Sequence, residues 1–207
     1  MPTTRATSKF GKGRGTVVAT GGRRVPTAWR ADVADVLITA TELRGRVRAL
    51  AASITQDHAG GELTVVALLT GTVVFLADLV RQLPLPLRLD FLGVSSYRNQ
   101  TRAGRLVYTK DLGLDIHDRD VLLVDDILDT GRTLSAVRAR LSALGPRTLR
   151  TCVLLDKPER RVVPIKADYV GFEIPDAFVV GYGLDFAERY RNLPFVGVLK
   201  PERYQTA

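Results

Sequence analysis

From residue 35 onward the chain alternates between two hydrophobic rhythms. LTVVALL (63–69), VLLV (121–124) and LRTCVLL (149–155) are nearly continuous apolar runs, the pattern of strands covered on both faces. Leu87 to Val94, Leu106 to Thr109, ADYVGF (167–172) and FVVGY (178–182) read as further strands. Between them the period lengthens. Leu43, Val47, Leu50, Ala51 and Ile54 fall on one helical face, opened by Thr39 and Glu42 at capping-box spacing and closed by Gly60-Gly61. Val73, Leu76, Ala77 and Val80 predict a second helix after the Thr70-Gly71 turn, stopped by Pro84. Leu134, Val137, Leu141 and Leu144 predict a third, stopped by Gly145-Pro146. SSYRNQTRAGR (95–105) is polar, basic and glycine-containing, which predicts a long loop of the kind that acts as a lid. Strands alternating with helices in this order indicate an α/β fold with a mostly parallel sheet.

Chemistry concentrates where VLLV ends. Ligands of open α/β sheets bind beyond the carboxyl ends of the strands. Here that edge carries Asp125, Asp126 and, after Ile127 and Leu128, Asp129. Three carboxylates in five residues repel one another unless a cation, a polyol or a metal-bound ligand relieves them. Thr130, Gly131, Arg132 and Thr133 follow at once and open the helix. Gly131 permits a tight turn, and the free amides of the helix start, with the Thr133 hydroxyl, make an anion cradle. Any one of these residues would equally suit a helix cap. Together, acids beside an anion cradle fit a ligand bearing both hydroxyls and a phosphate, which is a sugar phosphate. The rival phosphate motifs do not occur: there is no GxxxxGK[ST], and Gly11, Gly13 and Gly15 follow no strand.

Charge changes the picture less than its total suggests. The net charge is +8, but Arg5, Lys9, Lys12, Arg14, Arg23, Arg24 and Arg30 lie in residues 1–30 without a single acid. Removing those 7 leaves about +1 for residues 31–207, so the basicity marks the amino-terminal stretch and nucleic-acid binding is not indicated for the rest. Rich in Gly, Ser and Thr and without apolar periodicity, residues 1–34 read as a basic, disordered tail preceding a domain at 35–207. No apolar run approaches the ~20 residues of a membrane span. The lone Cys152 excludes an intramolecular disulfide and suits a reducing cytoplasm, and His58 and His117 lack zinc-ligand spacing.

VDDILDTGRTL (124–134) resembles the diphosphate-sugar signature of type I phosphoribosyltransferases. SSY (95–97), LLDKP (154–158) and GFEIPDAFVVGYGLDFAERYRNLP (171–194) narrow the resemblance to the hypoxanthine-guanine phosphoribosyltransferases. The resemblance, spanning about residues 35–204, implies a type I phosphoribosyltransferase fold: a mostly parallel central sheet flanked by helices, with a small hood subdomain. It implies transfer of a 5-phosphoribosyl group from phosphoribosyl diphosphate (PRPP) to N9 of a 6-oxopurine, releasing pyrophosphate with Mg2+ present. Asp125 and Asp126 then match the acids on the ribose hydroxyls, directly and through metal-bound water. Asp129 matches the acceptor of the purine N7 proton, and Asp129 to Thr133 match the 5′-phosphate loop. Lys157 matches the donor to the 6-oxo group, Phe178 the aromatic stacked on the base, and Val179 a backbone contact to it. Gly71 and Arg191 match pyrophosphate contacts, Asp185 a magnesium ligand, and Ser96 and Tyr97 the loop closing over the reacting centre. Homodimers or homotetramers are implied, with no membrane attachment.

Two positions depart from the family pattern. Thr70 stands where a basic residue is usual before Gly71, and the acid pair is Asp125-Asp126 where Glu then Asp is usual. Two rival readings share the fold: an RNA-binding regulator of nucleotide synthesis, which the basic stretch would favour, and a DNA-binding purine repressor. Asp129 and the 171–194 stretch favour the enzyme over the first. Against the second, residues 1–34 hold no helix-turn-helix.

Overall fold

The computed structural model describes residues 16–96 and 106–205. Its main sheet has seven strands: β1 (Val17–Val18), β3 (Leu63–Leu69), β4 (Leu87–Ser96), β5 (Leu106–Lys110), β6 (Asp120–Leu128), β7 (Thr148–Asp156) and β8 (Tyr169–Glu173). Their spatial order is β1-β8-β7-β6-β3-β4-β5, parallel throughout except for the antiparallel β4–β5 pair at one edge. A second sheet of three short antiparallel strands, in order β2-β10-β9, joins β2 (Val33–Ile38), β9 (Val179–Val180) and β10 (Val196–Leu199). This is the hood that the resemblance implies.

Periodicity explains the layering. Val65 and Ala67 of β3 and Leu122 and Val124 of β6 face one side, where Leu43, Val47, Leu50 and Ile54 of helix α1 (Ala40–Asp57) and Phe75, Leu76 and Leu79 of α2 (Val73–Val80) complete the core. The alternate residues, Val66, Leu68, Val121 and Leu123, face Leu134, Val137 and Leu141 of α3 (Arg132–Ser142). Both faces are covered, so the middles of the central strands are mostly apolar on both sides, with Thr64 and Thr151 as buried polar exceptions. The α1 capping box forms: Thr39 Oγ1 accepts from the Glu42 amide at 3.3 Å, and the Thr39 amide donates to Glu42 Oε2 at 2.9 Å.

Several expectations are corrected. Residues 16–34 are not a solvated tail. Val17 and Val18 pair with Phe172 and Glu173 at the outer edge of the main sheet, and Val25 and Val33 are buried in the hood. The basic charge there is answered locally: Arg23 donates to Glu42 Oε1 at 2.6 Å and to the Leu37 carbonyl at 2.8 Å, and its amide donates to Asp35 Oδ1 at 2.8 Å. Residues 1–15 lie outside the described residues. β6 does not stop at Val124 but runs through Leu128, because its pairing with β7 continues to the Leu128–Asp156 partners. FVVGY contributes only Val179–Val180 as strand, and Leu144 falls beyond α3, exposed. β4 extends through Ser95 and Ser96 into the expected loop, whereas Tyr97 and the rest of that loop lie outside the described residues.

Candidate active site

The strand order reverses between β3 and β6: the chain leaves β3 to form β4 on one side and returns to form β6 on the other. Such a switch point leaves a crevice at the carboxyl ends of the two strands. A cleft of about 560 Å³ opens there. It is lined by Gly71 and Thr72 after β3, by Asp125, Asp126 and Asp129 of and after β6, and by Thr130, Gly131, Arg132 and Thr133 at the start of α3. One cavity therefore holds the three acids and the phosphate-type turn.

The acid pair is costly to keep charged. Asp125 is buried, and burial together with the neighbouring Asp126 carboxylate pushes its carboxyl well above the usual range. Its Oδ1 accepts from the Asp126 amide at 2.9 Å, while the buried Thr72 hydroxyl stands 3.5 Å away. Burial also raises Asp126, which Arg191 partly offsets. Gly131 opens α3 with φ +84°, a left-handed conformation that glycine adopts freely. The turn rests on a scaffold: the Val162 and Val163 amides both donate to the Thr130 carbonyl at 3.0 Å, and the Arg161 guanidinium donates to the Leu128 and Asp129 carbonyls. Its amides are held in place before any ligand arrives.

Asp129 projects half-exposed beyond the strand, and Arg160 Nε donates to its Oδ1 at 2.9 Å. Arg160 was not singled out from the sequence, because in DKPERR it reads as one of several charges on a surface turn. Its guanidinium also lies 3.5 Å from Asp176, so it bridges the acid of the cleft to the loop that carries Phe178. Thr72 was likewise missed. Only its burial beside Asp125 distinguishes it from an ordinary helix-opening threonine.

The remaining expected residues flank the cleft on two sides. Lys157 is buried, its ammonium donates to the Ala177 carbonyl at 2.7 Å, and burial lowers its pKa. Phe178 follows Ala177 with its ring partly exposed, and Val179 is buried behind it. On the other side, Arg191 pairs with Asp185 at 2.9 Å and donates to the Gly183 carbonyl at 2.9 Å. Gly183 abuts the turn after β3 so closely that a Cβ there would lie 2.1 Å from the Gly71 carbonyl oxygen. A Cβ on Gly71 would in turn meet Asp126 Oδ2 at 1.8 Å. Gly71, Asp126, Asp185 and Arg191 are thus brought to one corner. Thr70 precedes it, through a cis Leu69–Thr70 peptide.

Residues 38–187 match the family model described as the phosphoribosyl transferase domain. The hypoxanthine-guanine phosphoribosyltransferase of Bacillus subtilis (strain 168) is 44% identical over 176 residues, covering 84% of this chain and 98% of that protein. The chain belongs to the hypoxanthine-guanine phosphoribosyltransferase family. A crystal structure of the hypoxanthine phosphoribosyltransferase of Staphylococcus aureus superposes with a TM-score of 0.82 at 42% identity, covering 87% of this chain and 99% of that one. A ternary substrates complex of the Trypanosoma cruzi hypoxanthine phosphoribosyltransferase gives 0.79 at 39% identity, covering 83% and 98%. The bifunctional protein TilS/HprT of Listeria innocua is 45% identical over 174 residues, and the chain spans 27% of that longer protein. Within this phosphoribosyltransferase, the family match covers the whole cleft and stops before β10 and the carboxyl-terminal residues.

Proposed function

We propose that the protein transfers the 5-phosphoribosyl group of PRPP to N9 of hypoxanthine or guanine, giving the nucleoside monophosphate and pyrophosphate. The observation that carries this reading is the single cleft in which Asp125, Asp126 and Asp129 meet the turn Thr130 to Thr133. Amides of that turn and the Thr133 hydroxyl suit the 5′-phosphate, and the buried Asp125 with the half-buried Asp126 suits the ribose hydroxyls. Departure of pyrophosphate leaves positive charge on the ribosyl carbon, which the neighbouring carboxylates stabilise. Arg191 offsets the charge gathering on the leaving group. Asp129 holds the purine N7 proton and accepts it as N9 attacks. Lys157 spends one of its three donors on Ala177, and the donors left to it suit a 6-oxo group over the 6-amino group of adenine. Phe178 offers a ring for stacking and Val179 backbone contacts.

Magnesium fits the donor set. Hard carboxylate oxygens at Asp125, Asp126 and Asp185 flank the pyrophosphate corner, and a cation would relieve the adjacent Asp125-Asp126 pair, whose charge desolvation opposes. No cluster of three or more acidic, His or Cys side chains among the described residues makes a metal site alone, so substrate oxygens and water would complete the shell, as is usual for this ion. When bound it supplies positive charge to the leaving pyrophosphate. A homodimeric or homotetrameric assembly and a cytoplasmic location belong to the same proposal. The location is supported by the buried free thiol of Cys152. Among the described residues no helix is long and apolar enough to cross a membrane.

Incubation of the protein with magnesium, PRPP and hypoxanthine is expected to yield inosine monophosphate, followed spectrophotometrically. Guanine should react similarly and adenine far more slowly. Failure with all 6-oxopurines, or preferential use of adenine, overturns the proposal. Arg160→Gln removes the bridge between Asp129 and Asp176. Because the pair is exposed, thermal stability should hardly change. Loss of orientation at Asp129 is expected to lower kcat/KM for the base roughly 3–10-fold. Unchanged kinetics would make the bridge incidental.

A further inference from the structure

Phe178 is contacted by a carboxyl-terminal helix that is itself tied to the amino-terminal segment, and neither of those segments lies within the stretch 38–187 that matches the family model. Tyr204 closes the short helix α4 (Pro201–Tyr204), and its ring stacks on Phe178 with centroids 4.7 Å apart and planes 18° from parallel. Phe186 meets the same ring edge-on at 5.5 Å and 88°. With both neighbours in place Phe178 is still 36% exposed, so part of the residue remains accessible to a ligand. α4 is itself tied down by the amino-terminal segment. The Lys200 amide donates to the Asp32 carbonyl at 2.9 Å, Lys200 Nζ donates to the Arg30 carbonyl at 2.7 Å, and Arg203 Nε pairs with Asp32 Oδ1 at 2.7 Å. Next to the ring, Lys157 grips the Ala177 carbonyl at 2.7 Å. The edge-recognising ammonium and the stacking ring are therefore held in one frame.

We infer that Tyr204 is a positioning residue for base binding: stacked on the far face of Phe178, and held by Arg30 to Asp32 through α4, it fixes the ring against which the purine lies. This inference rests on the proposed function. An aromatic ring free to rotate must be immobilised when the base binds, at a cost in affinity. A ring already stacked bears less of that cost. The effect belongs to the base and not to PRPP, whose corner lies across the cleft at Gly71, Asp126 and Arg191.

Steady-state kinetics of the full chain with magnesium, PRPP and hypoxanthine tests the inference. Tyr204→Ala is expected to raise KM for hypoxanthine about 3–10-fold, the range of one aromatic pair, with KM for PRPP within about twofold. Tyr204→Phe keeps the stack and should restore the native constant. Asp32→Asn, which loosens α4, should move the hypoxanthine KM in the same direction by less. If Tyr204→Ala fails to fold, as read by thermal unfolding, Tyr204→Leu carries the same expectation, since it keeps bulk but not a flat face. An unchanged KM for hypoxanthine, or equal rises for both substrates, overturns the inference. So does a lowered KM for hypoxanthine, which would mean that the tyrosine occupies the place of the base. Inactivity of the native protein with every 6-oxopurine would instead overturn the proposed function, so the two failures are distinguishable.

Discussion

Asp129→Asn is expected to lower kcat by about 10²–10⁴-fold, the usual loss when a general base is removed. The substitution preserves size and leaves an oxygen for Arg160, which now donates to the carboxylate at 2.9 Å, so the geometry of the turn should survive. What it removes is the capacity to hold a proton as the purine attacks. Because Asp129 stands apart from the Asp125-Asp126 pair and is half-exposed, its neutralisation should leave PRPP affinity nearly intact. The decisive measurement is the split between constants: kcat should collapse while KM for PRPP stays within a few-fold. A native turnover number would remove the acid–base role. A large rise in KM for PRPP at native kcat would make Asp129 a binding residue instead.

The second large effect is steric. Gly183→Ala places a methyl group 2.1 Å from the Gly71 carbonyl oxygen, on a backbone whose φ of +102° disfavours any side chain. Neither neighbour can yield cheaply, since the obstruction is backbone and not a flexible side chain. The loop must move away from the turn after β3, taking with it the carbonyl that Arg191 Nη1 holds at 2.9 Å. Strain of this kind amounts to about 1–3 kcal/mol, so KM for PRPP should rise on the order of 10–100-fold. Hypoxanthine binding, proposed above to involve Lys157 and Phe178, should change much less. Kinetics with each substrate varied in turn would check this. A variant with native KM for PRPP would show that the contact between the two loops is dispensable.

How much of this was legible beforehand depended on sequence distance. The path from β6 through the turn to α3 could be read because its apolar run, its acids and its Thr-Gly pair are contiguous and each depends on its neighbours. The α1 capping box could be read for the same reason. The hood could not. Val33–Ile38 has its apolar run interrupted by the weak strand former Ala34 and the charged Asp35, and its partner β10 lies some 160 positions later. Asp35 is tolerated there only because the Gly22 and Arg23 amides donate to it, at 2.5 and 2.8 Å. Residues 16–34 depart from the compositional expectation because composition reports average polarity, whereas two valines suffice to pair with β8. Arg160 escaped notice because it meets its partner only after the chain has crossed 31 residues. Asp185 and Arg191 were placed by likeness to a known pattern. The Gly183–Gly71 approach that brings them to the cleft is a three-dimensional fact no local spacing encodes.

The pairing of Val17 and Val18 with β8 has a consequence for the solution behaviour of the chain. A polypeptide trimmed back to residue 38, where the family match begins, would leave the amide and carbonyl groups on that flank of β8 without their protein partners. Bare strand flanks recruit other chains. Val17 and Val18 thus occupy the flank of β8 on which another chain could otherwise add, a role separate from anything that happens in the cleft.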